Sequence, residues 1–311
     1  MRWVVLGAGA IGGGLGGALA RAGEEVHLIA RGTRLQALQR DGLRWQTPDL
    51  DETLMLSASS VEDASPRPGD VLCLATKLQD AQAALRGLGR AWGEVPLVCW
   101  TSGIQAPSWA AERHDTVLGC AVNVPASIEA PAVARLWARP HYGAMHLGVT
   151  HGEGGAVRDA LAAALARAGF DAFAHDDVAP YVNAKWCTNL MGAAQALVVP
   201  EDFEAVALAA LAEGRAVLQA AGWPLVSTEA LSPRPISLGT IDGEQRGGGS
   251  TWKSLQQGKP LESPWLNGPL VELAEAEGLA APLNRALLEG VARATRERWS
   301  APRLRGNDLP L

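Results

Sequence analysis

Long apolar runs, paired cysteines and charge of one sign are all scarce in this chain of 311 residues. No run of about 18 apolar residues occurs, so the sequence predicts no membrane-spanning helix. No basic leader with an apolar segment precedes the first strand, so no export signal is expected. The four cysteines show no Cys-x-x-Cys spacing, which favours free thiols in a reducing cytoplasm. The net charge of −6 comes without a basic cluster, so neither nucleic acid nor an anionic membrane is an expected partner.

The most informative segment that is present is a glycine-rich turn at the N-terminal end. An apolar run, Trp3–Leu6, leads directly into Gly7-Ala8-Gly9-Ala10-Ile11-Gly12, and a helix is predicted over residues 10–22. A buried strand, a tight glycine turn and a helix N-terminus leave backbone N–H groups unpaired where a pyrophosphate can bind. The residues predicted to bind a dinucleotide here are Gly7, Gly9, Ala10, Ile11 and Gly12.

The residue after the second predicted strand indicates which dinucleotide binds. That strand, Val26–Ile29, is followed by Ala30-Arg31-Gly32. An acidic side chain at this point would accept a hydrogen bond from the ribose 2′-hydroxyl of NAD. A guanidinium instead suits the charged 2′-phosphate of NADP. The sequence therefore predicts NADP(H), with Arg31 as the discriminating residue.

The order of apolar and helical patterns predicts an α/β fold. Short, nearly continuous apolar runs alternate with helical patterns up to about residue 175, as in βαβ units on a parallel sheet. The further predicted strands are Val71–Ala75, Leu97–Trp100, Val117–Ala121, Ala144–Gly148 and Phe170–Ala174. From Asp176 onward the pattern is helical, with helices expected over 202–221 and 265–278. We predict a Rossmann-type dinucleotide-binding domain over 1–175 and an all-helical domain over 176–311, with a turn or moving loop at Gly247–Gly249.

A lysine and an asparagine near the start of the helical part are candidates for chemistry. A nicotinamide cofactor supplies the hydride, so the protein must handle the proton on the acceptor oxygen. Lys185 and Asn189 lie four residues apart, so on a helix they share a face. Burial beside Trp186, Cys187 and Leu190 would lower the pKa of the lysine, which suits a proton donor. The alternative is a surface lysine in an ordinary helical pair.

A second candidate cluster contains Ser250 and Glu262. Ser263 and Pro264 are typical of an N-cap and a first helical residue, which puts Glu262 just outside a helix N-terminus. The helix dipole would keep that carboxylate ionised. Glu262 could then pair with Lys185 or accept a hydrogen bond from a substrate hydroxyl, while Ser250 could donate to a carboxylate. A loop and a capping box explain the same residues without any chemistry.

Taken together, these segments resemble the ketopantoate reductases (2-dehydropantoate 2-reductases) over nearly the whole chain. The motifs that carry the resemblance are Gly7-x-Gly9-x-x-Gly12, Ala30-Arg31-Gly32, Ala75-Thr76-Lys77, Lys185-x-x-x-Asn189, and Ser250 ahead of Glu262. The resemblance implies NADPH-dependent reduction of 2-dehydropantoate to (R)-pantoate, a step of pantothenate and coenzyme A synthesis.

The resemblance also implies a role for each of these side chains. Lys185 would be the general acid. Glu262 would bind a substrate hydroxyl, help to orient the lysine and contact the cofactor. Asn189 and Ser250 would hold the substrate, and Lys77 would lie near cofactor and substrate.

Several positions depart from the family pattern. Thr101-Ser102-Gly103 stands where the family has Gln-Asn-Gly or His-Asn-Gly, so Ser102 is the expected substrate contact there. Ala193 stands where some members have a second asparagine, and Pro264 stands where an aspartate is usual. Lost hydrogen-bond partners change specificity far more than reaction type. A different 2-oxo acid as substrate therefore stays open.

Three other functions compete with this one. A relative could reduce another 2-oxo acid or, like opine dehydrogenases, an imine. A non-catalytic NADPH sensor would need no proton donor, so Lys185 and Glu262 speak against it. The six histidines show no metal-ligand spacing, so no metal is expected. Monomer and homodimer are both compatible with two domains of this kind.

Overall fold

The structure, a computed structural model, describes residues 1–311 and divides into two compact units. The first unit comprises Met1–Val178 together with Glu229–Arg246. The second unit comprises Ala179–Thr228 together with Gly247–Leu311. The chain therefore leaves the helical unit after Thr228 and returns to it at Gly247.

All strands but the last lie in the first 178 residues. The strands are β1 (Arg2–Leu6), β2 (Glu25–Ile29), β3 (Leu43–Gln46), β4 (Asp51–Leu54), β5 (Ser57–Ser59), β6 (Asp70–Leu74), β7 (Leu97–Cys99), β8 (Val117–Asn123), β9 (Ala126–Ala130), β10 (Val133–Leu136), β11 (Ala138–Arg139), β12 (Ala144–His151), β13 (Asp171–Ala174) and β14 (Ser237–Leu238).

Helices occur in both units. They are α1 (Ala10–Arg21), α2 (Gly32–Asp41), α3 (Leu78–Gly87), α4 (Ala106–Ala111), α5 (Gly155–Arg167), α6 (Ala179–Leu197), α7 (Pro200–Ala220), α8 (Ser250–Gln256), α9 (Ser263–Ala276) and α10 (Pro282–Arg296). None of them combines the length and the apolar character that crossing a bilayer requires.

The main sheet of the first unit has the order β13-β12-β8-β7-β6-β1-β2-β5. From β5 to β8 all neighbouring strands are parallel, and the chain winds outward from β1 in both directions. This is the doubly wound order in which a dinucleotide binds at the carboxyl ends of the strands, where the strand order reverses. All five residues of β1 and of β6 are buried, as continuous apolar runs predict. The predicted Rossmann-type fold is confirmed.

The prediction of a purely parallel sheet is wrong at β12. This strand runs antiparallel to β8, with Ala144 opposite Asn123, and parallel to β13. A parallel neighbour needs a crossover connection, usually a helix, whereas the chain between β8 and β12 forms the strands β9, β10 and β11. The chain therefore returns along the sheet in the opposite direction.

A second sheet, with the order β4-β3-β10-β9, packs against the glycine-rich face of α1. The indole Nε1 of Trp45 donates a hydrogen bond to the carbonyl of Gly14 at 2.9 Å. A Cβ on Gly17 would lie 2.3 Å from the Trp45 ring, and one on Gly14 would lie 2.7 Å from Leu136. The additional glycines of α1 are therefore needed for close packing of helix and sheet.

The segment Glu229–Arg246 packs with the first unit although it follows α7 in the chain. The side-chain amide of Asn123, at the end of β8, donates a hydrogen bond to the hydroxyl of Ser232 at 2.7 Å. Farther along the segment, β14 pairs antiparallel with β11. The expectation that strands end before Asp176 is thus wrong at Ser237–Leu238, a pair too short and too exposed to leave a periodic signal.

The second unit is a bundle of the five helices α6 to α10, which confirms the predicted helical C-terminal part. Two side chains bridge α6 and α9. The indole of Trp186 donates to the carbonyl of Leu266 at 2.9 Å, and the amide of Asn267 donates to the carbonyl of Leu190 at 3.3 Å. Helix α6, 19 residues long, is the element along which the candidate catalytic residues lie.

Candidate active site

The glycine turn after β1 needs glycine at three positions for three different reasons. Gly7 has a φ of 108°, and a Cβ there would lie 3.0 Å from the backbone nitrogen of Thr76. A Cβ on Gly12 would lie 2.0 Å from the carbonyl oxygen of Gly7, so helix and turn could not approach each other. Around a Cβ on Gly9, by contrast, no protein atom lies within 4 Å. Gly9 therefore faces open space, where a ligand can come close to the backbone.

The N-terminus of α1 is suited to an anion. Gly9 is its N-cap and makes no side-chain capping bond, and the first turn has no acidic residue. The N–H groups of the first turn, which begins with Ala10 and Ile11, therefore keep the partial positive charge of a helix N-terminus. These residues fit the pyrophosphate of a dinucleotide, as the sequence predicts.

Arg31 follows β2 and is the N-cap residue of α2. Its side chain is 89% exposed, and Nη2 lies 3.3 Å from Oδ1 of Asp80 in the first turn of α3. One exposed ion pair of this kind holds a guanidinium weakly. Arg31 therefore keeps donors for a phosphate at the carboxyl end of β2, and its role as cofactor discriminator stays a prediction.

The carboxyl ends of β6 and β7 hold polar atoms that the protein leaves unsatisfied. The hydroxyls of Thr76 and Thr101 and the indole nitrogen of Trp100 are shielded from solvent and have no hydrogen-bond partner. Lys77, the N-cap residue of α3, directly follows Thr76, and Ser102 directly follows Thr101. Buried polar groups are usually paired, and these three lie at the carboxyl edge of the sheet, where the doubly wound order predicts the dinucleotide.

In the second unit, Lys185 and Asn189 share a face of α6 as their spacing predicts. The Lys185 ammonium donates to Oδ1 of Asn189 at 3.0 Å and to the Thr188 hydroxyl at 3.2 Å. The Thr188 hydroxyl in turn donates to the Lys185 carbonyl at 2.7 Å. These three side chains are half-buried, whereas Trp186 and Cys187 between them are buried. The ammonium is thus held in one place on a polar stripe of an otherwise apolar helix.

Helix α8 packs against the same region of α6 and brings Ser250 there. The backbone N–H of Gly249 donates to Oε1 of Gln195 at 2.6 Å. A Cβ on Gly192 would lie 2.8 Å from the Thr251 hydroxyl, so the two helices touch at that point. Ser250, the exposed first residue of α8, therefore lies beside α6 about one turn beyond Asn189.

The glycine run ahead of α8, where the sequence predicts a turn or moving loop, lies outside the helices and strands and is closely packed. A Cβ on Gly248 would lie 2.6 Å from the Trp252 ring, and one on Gly247 would lie 3.3 Å from it. None of Gly247–Gly249 has a φ in the left-handed region. At Gly248 a side chain would collide with the indole ring, and at Gly249 a Cβ would lie 2.8 Å from Oε1 of Gln195.

Glu262 is buried, with 4% of its surface exposed, and is the N-cap residue of α9. The expectation that Ser263 is the cap is wrong by one residue, because the Trp265 N–H donates to the Glu262 carbonyl at 2.9 Å and closes the first turn there. The Ser263 hydroxyl is buried without a partner. A carboxylate at a helix N-terminus is stabilised in its charged form by the helix dipole.

Comparison with known families matches both parts of the chain. Residues 3–152 match the model described as "Ketopantoate reductase PanE/ApbA", and residues 182–294 match the model of its C-terminal part.

Individual relatives agree with the family match. The 2-dehydropantoate 2-reductase of Archaeoglobus fulgidus is 26% identical over 294 residues, which cover 91% of this chain and 94% of that protein. A ketopantoate reductase of this family from Ralstonia eutropha is 28% identical, with a TM-score of 0.75 over 96% of this chain and 99% of that one. D-mandelate dehydrogenase with NADH and anilino(oxo)acetate shares the fold, with a TM-score of 0.78 at 17% identity over the same shares of the two chains.

Proposed function

The chain belongs to the ketopantoate reductase family of NADP-dependent oxidoreductases, and from this we propose that it reduces 2-dehydropantoate to (R)-pantoate with NADPH. The observation that carries the proposal is the ammonium of Lys185, fixed by Asn189 and Thr188 on the polar stripe of α6. A held cation of this kind is suited to deliver a proton to a carbonyl oxygen.

The two halves of the chain have separate tasks in this proposal. Residues 1–175 bind the dinucleotide, with the pyrophosphate on the glycine turn and the N-terminus of α1, and with the 2′-phosphate on Arg31. In this proposal Lys77, the N-cap residue of α3, contacts the cofactor and the substrate. Residues 176–311 bind the substrate and supply the proton.

The reaction needs a hydride and a proton at the keto group. NADPH, when bound, supplies the hydride. The Lys185 ammonium gives its proton to the keto oxygen as negative charge develops there, and it is restored from solvent after the alcohol leaves. Because Asn189 uses its Oδ1 to accept from Lys185, the end of its amide that serves a substrate oxygen is the Nδ2 donor.

The remaining side chains recognise the substrate. Glu262, at the N-terminus of α9, accepts a hydrogen bond from the substrate hydroxyl. Ser250, beside the same stretch of α6, and Ser102, after β7, donate to oxygens of the 2-oxo acid.

The test follows NADPH oxidation with 2-dehydropantoate and a panel of other 2-oxo acids. Lys185→Ala should lower kcat by about 100- to 10,000-fold, because the proton transfer that it serves belongs to the transition state. The Kd for NADPH should stay unchanged. Lys259→Ala, at an exposed lysine of the same unit, is the matched control and should behave as the unaltered chain. Normal turnover of Lys185→Ala would remove the proposed role.

A second candidate function, reduction of another 2-oxo acid or of an imine, is favoured by Ser102. A serine hydroxyl is shorter than the asparagine amide usual in the family and offers one donor instead of two. Ser102→Asn should raise kcat/KM for 2-dehydropantoate if this difference limits activity on it. Assays with and without amines separate an imine substrate. A sensor would bind NADPH and turn over none of the panel.

A further inference from the structure

The guanidinium of Arg246, at the end of the segment Glu229–Arg246, has no partner in the protein. Its Nε is shielded from solvent and makes no hydrogen bond. The terminal nitrogens Nη1 and Nη2 are not shielded in this way, and they make no hydrogen bond or ion pair either. Burial lowers the pKa of Arg246, and no neighbouring carboxylate raises it. Arg246 is therefore a partly desolvated cation whose two terminal nitrogens stay open.

The protein supplies counter-charges for another buried guanidinium nearby in the chain. Arg135, on β10, pairs with Asp242 at 2.9 Å and with Glu244 at 2.7 Å. These two carboxylates precede Arg246 by four and two residues, so the acidic side chains nearest to it in sequence are committed to Arg135. Taking a charge out of water without a partner is unfavourable. The unpaired guanidinium therefore indicates an anion that arrives with a ligand.

The chain that follows Arg246 is fixed beside Ser250. Only Gly247–Gly249 separate the two residues, and the N–H of Gly249 donates to Oε1 of Gln195 on α6 at 2.6 Å. Four residues of extended chain span at most about 14 Å. The side chain of Arg246 therefore starts within that distance of Ser250, a residue proposed to hold the substrate.

A carboxylate is the anion that fits this position best. Every 2-oxo acid carries one next to its keto group, and its two oxygens accept in parallel from the fork of a guanidinium. A carboxylate offers about four acceptor sites, so the Ser250 hydroxyl has room to donate to the same group. The phosphates of the cofactor are expected instead at Arg31 and at the N-terminus of α1. An anion beside Ser250 thus belongs to the substrate.

We propose that Arg246 binds the substrate carboxylate through its two terminal nitrogens and thereby selects 2-oxo acids over uncharged ketones. The inference rests on the proposed function as a 2-oxo acid reductase. The carboxylate carries the same charge before and during hydride transfer, so Arg246 stabilises the bound substrate and the transition state alike. Arg246 is thus a specificity-determining residue, while Lys185 serves the proton transfer. The choice among different 2-oxo acids depends on other side chains, because all of them carry this carboxylate.

The experiment compares Arg246→Met with the unaltered chain on a matched pair of substrates. These are the 2-oxo acid of the panel that is reduced fastest and its methyl ester, which keeps the keto group and loses the charge. Arg246→Met should raise the KM for the acid roughly 10- to 100-fold, as expected for a lost charge-assisted hydrogen bond, and change kcat less than about threefold. The KM for the ester should be the same in both proteins. The unaltered chain should itself have a KM for the ester that exceeds its KM for the acid by a similar factor.

Two further variants separate the charge from the geometry of the fork. Arg246→Lys keeps the charge but replaces the planar fork by a single ammonium, so its KM for the acid should lie between those of the unaltered chain and Arg246→Met. Arg296→Met removes the same charge from an exposed position of α10 and should leave both substrates unaffected. An equal rise of KM in Arg296→Met would show a general effect of net charge and would overturn the subsite.

Thermal unfolding without ligands shows whether Arg246 has a role in folding. Because its guanidinium has no partner in the protein, Arg246→Met should keep or raise the Tm. Arg135→Met is the matched control, because it removes a buried guanidinium that makes two ion pairs. This variant should lower the Tm.

Four results with Arg246→Met would overturn the subsite while leaving the proposed function intact. They are an unchanged KM for the acid, an equal rise of KM for acid and ester, a Tm lowered as in Arg135→Met, and a Kd for NADPH raised as much as the KM for the acid. The last result would assign the guanidinium to a phosphate of the cofactor. If the unaltered chain reduces no 2-oxo acid with NADPH, the proposed function and the subsite fail together.

Discussion

A methyl group added at Gly9 should separate the folding role of the glycine turn from its role in binding. Gly9 has φ −83° and ψ −156°, which an alanine can adopt without strain, and its Cβ would meet no protein atom within 4 Å. Alanine is a poorer N-cap than glycine but loses less conformational entropy on folding. These effects oppose each other, so the free energy of unfolding should change by less than about 1 kcal/mol.

The same methyl group would stand where the pyrophosphate has to approach the backbone of α1. Displacement of the phosphate weakens one or two charge-assisted hydrogen bonds, each contributing about 1.5–3 kcal/mol. The Kd for NADPH should therefore rise roughly 10- to 1,000-fold in Gly9→Ala. Fluorescence titration with NADPH and thermal unfolding of the nucleotide-free protein measure the two effects separately.

Two further glycines serve as controls. Gly89 has φ −68° and ψ 162°, is the N-cap of a short 3-10 turn ahead of β7, and has no atom within 4 Å of its Cβ position. Gly89→Ala should bind NADPH normally, because it lies at the amino end of the strands. Gly12→Ala should fail to fold, because its Cβ would lie 2.0 Å from the Gly7 carbonyl oxygen. If Gly9→Ala binds NADPH as tightly as Gly89→Ala, the pyrophosphate does not lie on this turn.

The remaining predictions concern the cofactor, the thiols and acid stability. Arg31→Ala should raise the Kd for NADPH about tenfold and leave that for NADH unchanged, because only NADPH carries the 2′-phosphate; equal losses for both would show that Arg31 does not read it. Near pH 8, a disulfide reagent should leave all four cysteines unmodified until the protein unfolds. All four are buried, and burial raises the pKa of each thiol, that of Cys187 to about 11. Fast modification of the native protein would contradict this. Burial lowers the pKa of His146 to about 4, so the unfolded chain binds more protons than the folded one between that value and the ordinary histidine pKa of about 6.5. The contribution of His146 to the free energy of unfolding is therefore present above about pH 6.5 and is lost as the pH falls towards 4. Urea unfolding at several pH values should show a loss of up to roughly 3 kcal/mol, and His146→Gln should remove that part of the pH dependence.

The main sheet was predictable because its signals are local. Each predicted strand overlaps an observed one, and the helix after Gly9 begins at Ala10 as expected. Strands buried on both faces need continuous apolar residues, and such runs stand out in a sequence. The second sheet gave no such signal, because β3 and β4 are short and mix polar with apolar residues. The second sheet is stabilised where Trp45 packs against the glycines of α1, and this contact joins distant parts of the chain.

The same distinction holds in the candidate site. The pairing of Lys185 with Asn189 follows from helical spacing alone, and the structure contains it. The approach of Ser250 to α6 depends on Gln195 and on the bare backbone of Gly192, which spacing does not reveal. The hydroxyls of Thr76 and Thr101, which follow β6 and β7, are buried without a hydrogen-bond partner, and no spacing rule predicts this.

Ala193 and Ser102, which both depart from the family pattern, differ in how deeply they are buried. Ala193 is 1% exposed and packs in the apolar core of the helical unit, so an asparagine there would bury its amide among alanine and leucine side chains. One residue earlier, Gly192 still lies on the side of α6 that meets α8, so the helix turns from its polar stripe to its core between these two positions. Ser102, in contrast, is half-buried and follows Thr101 at the end of β7, beside the polar atoms that lack partners. A change of substrate relative to the family should therefore originate at Ser102, while Ala193 changes the packing of α6.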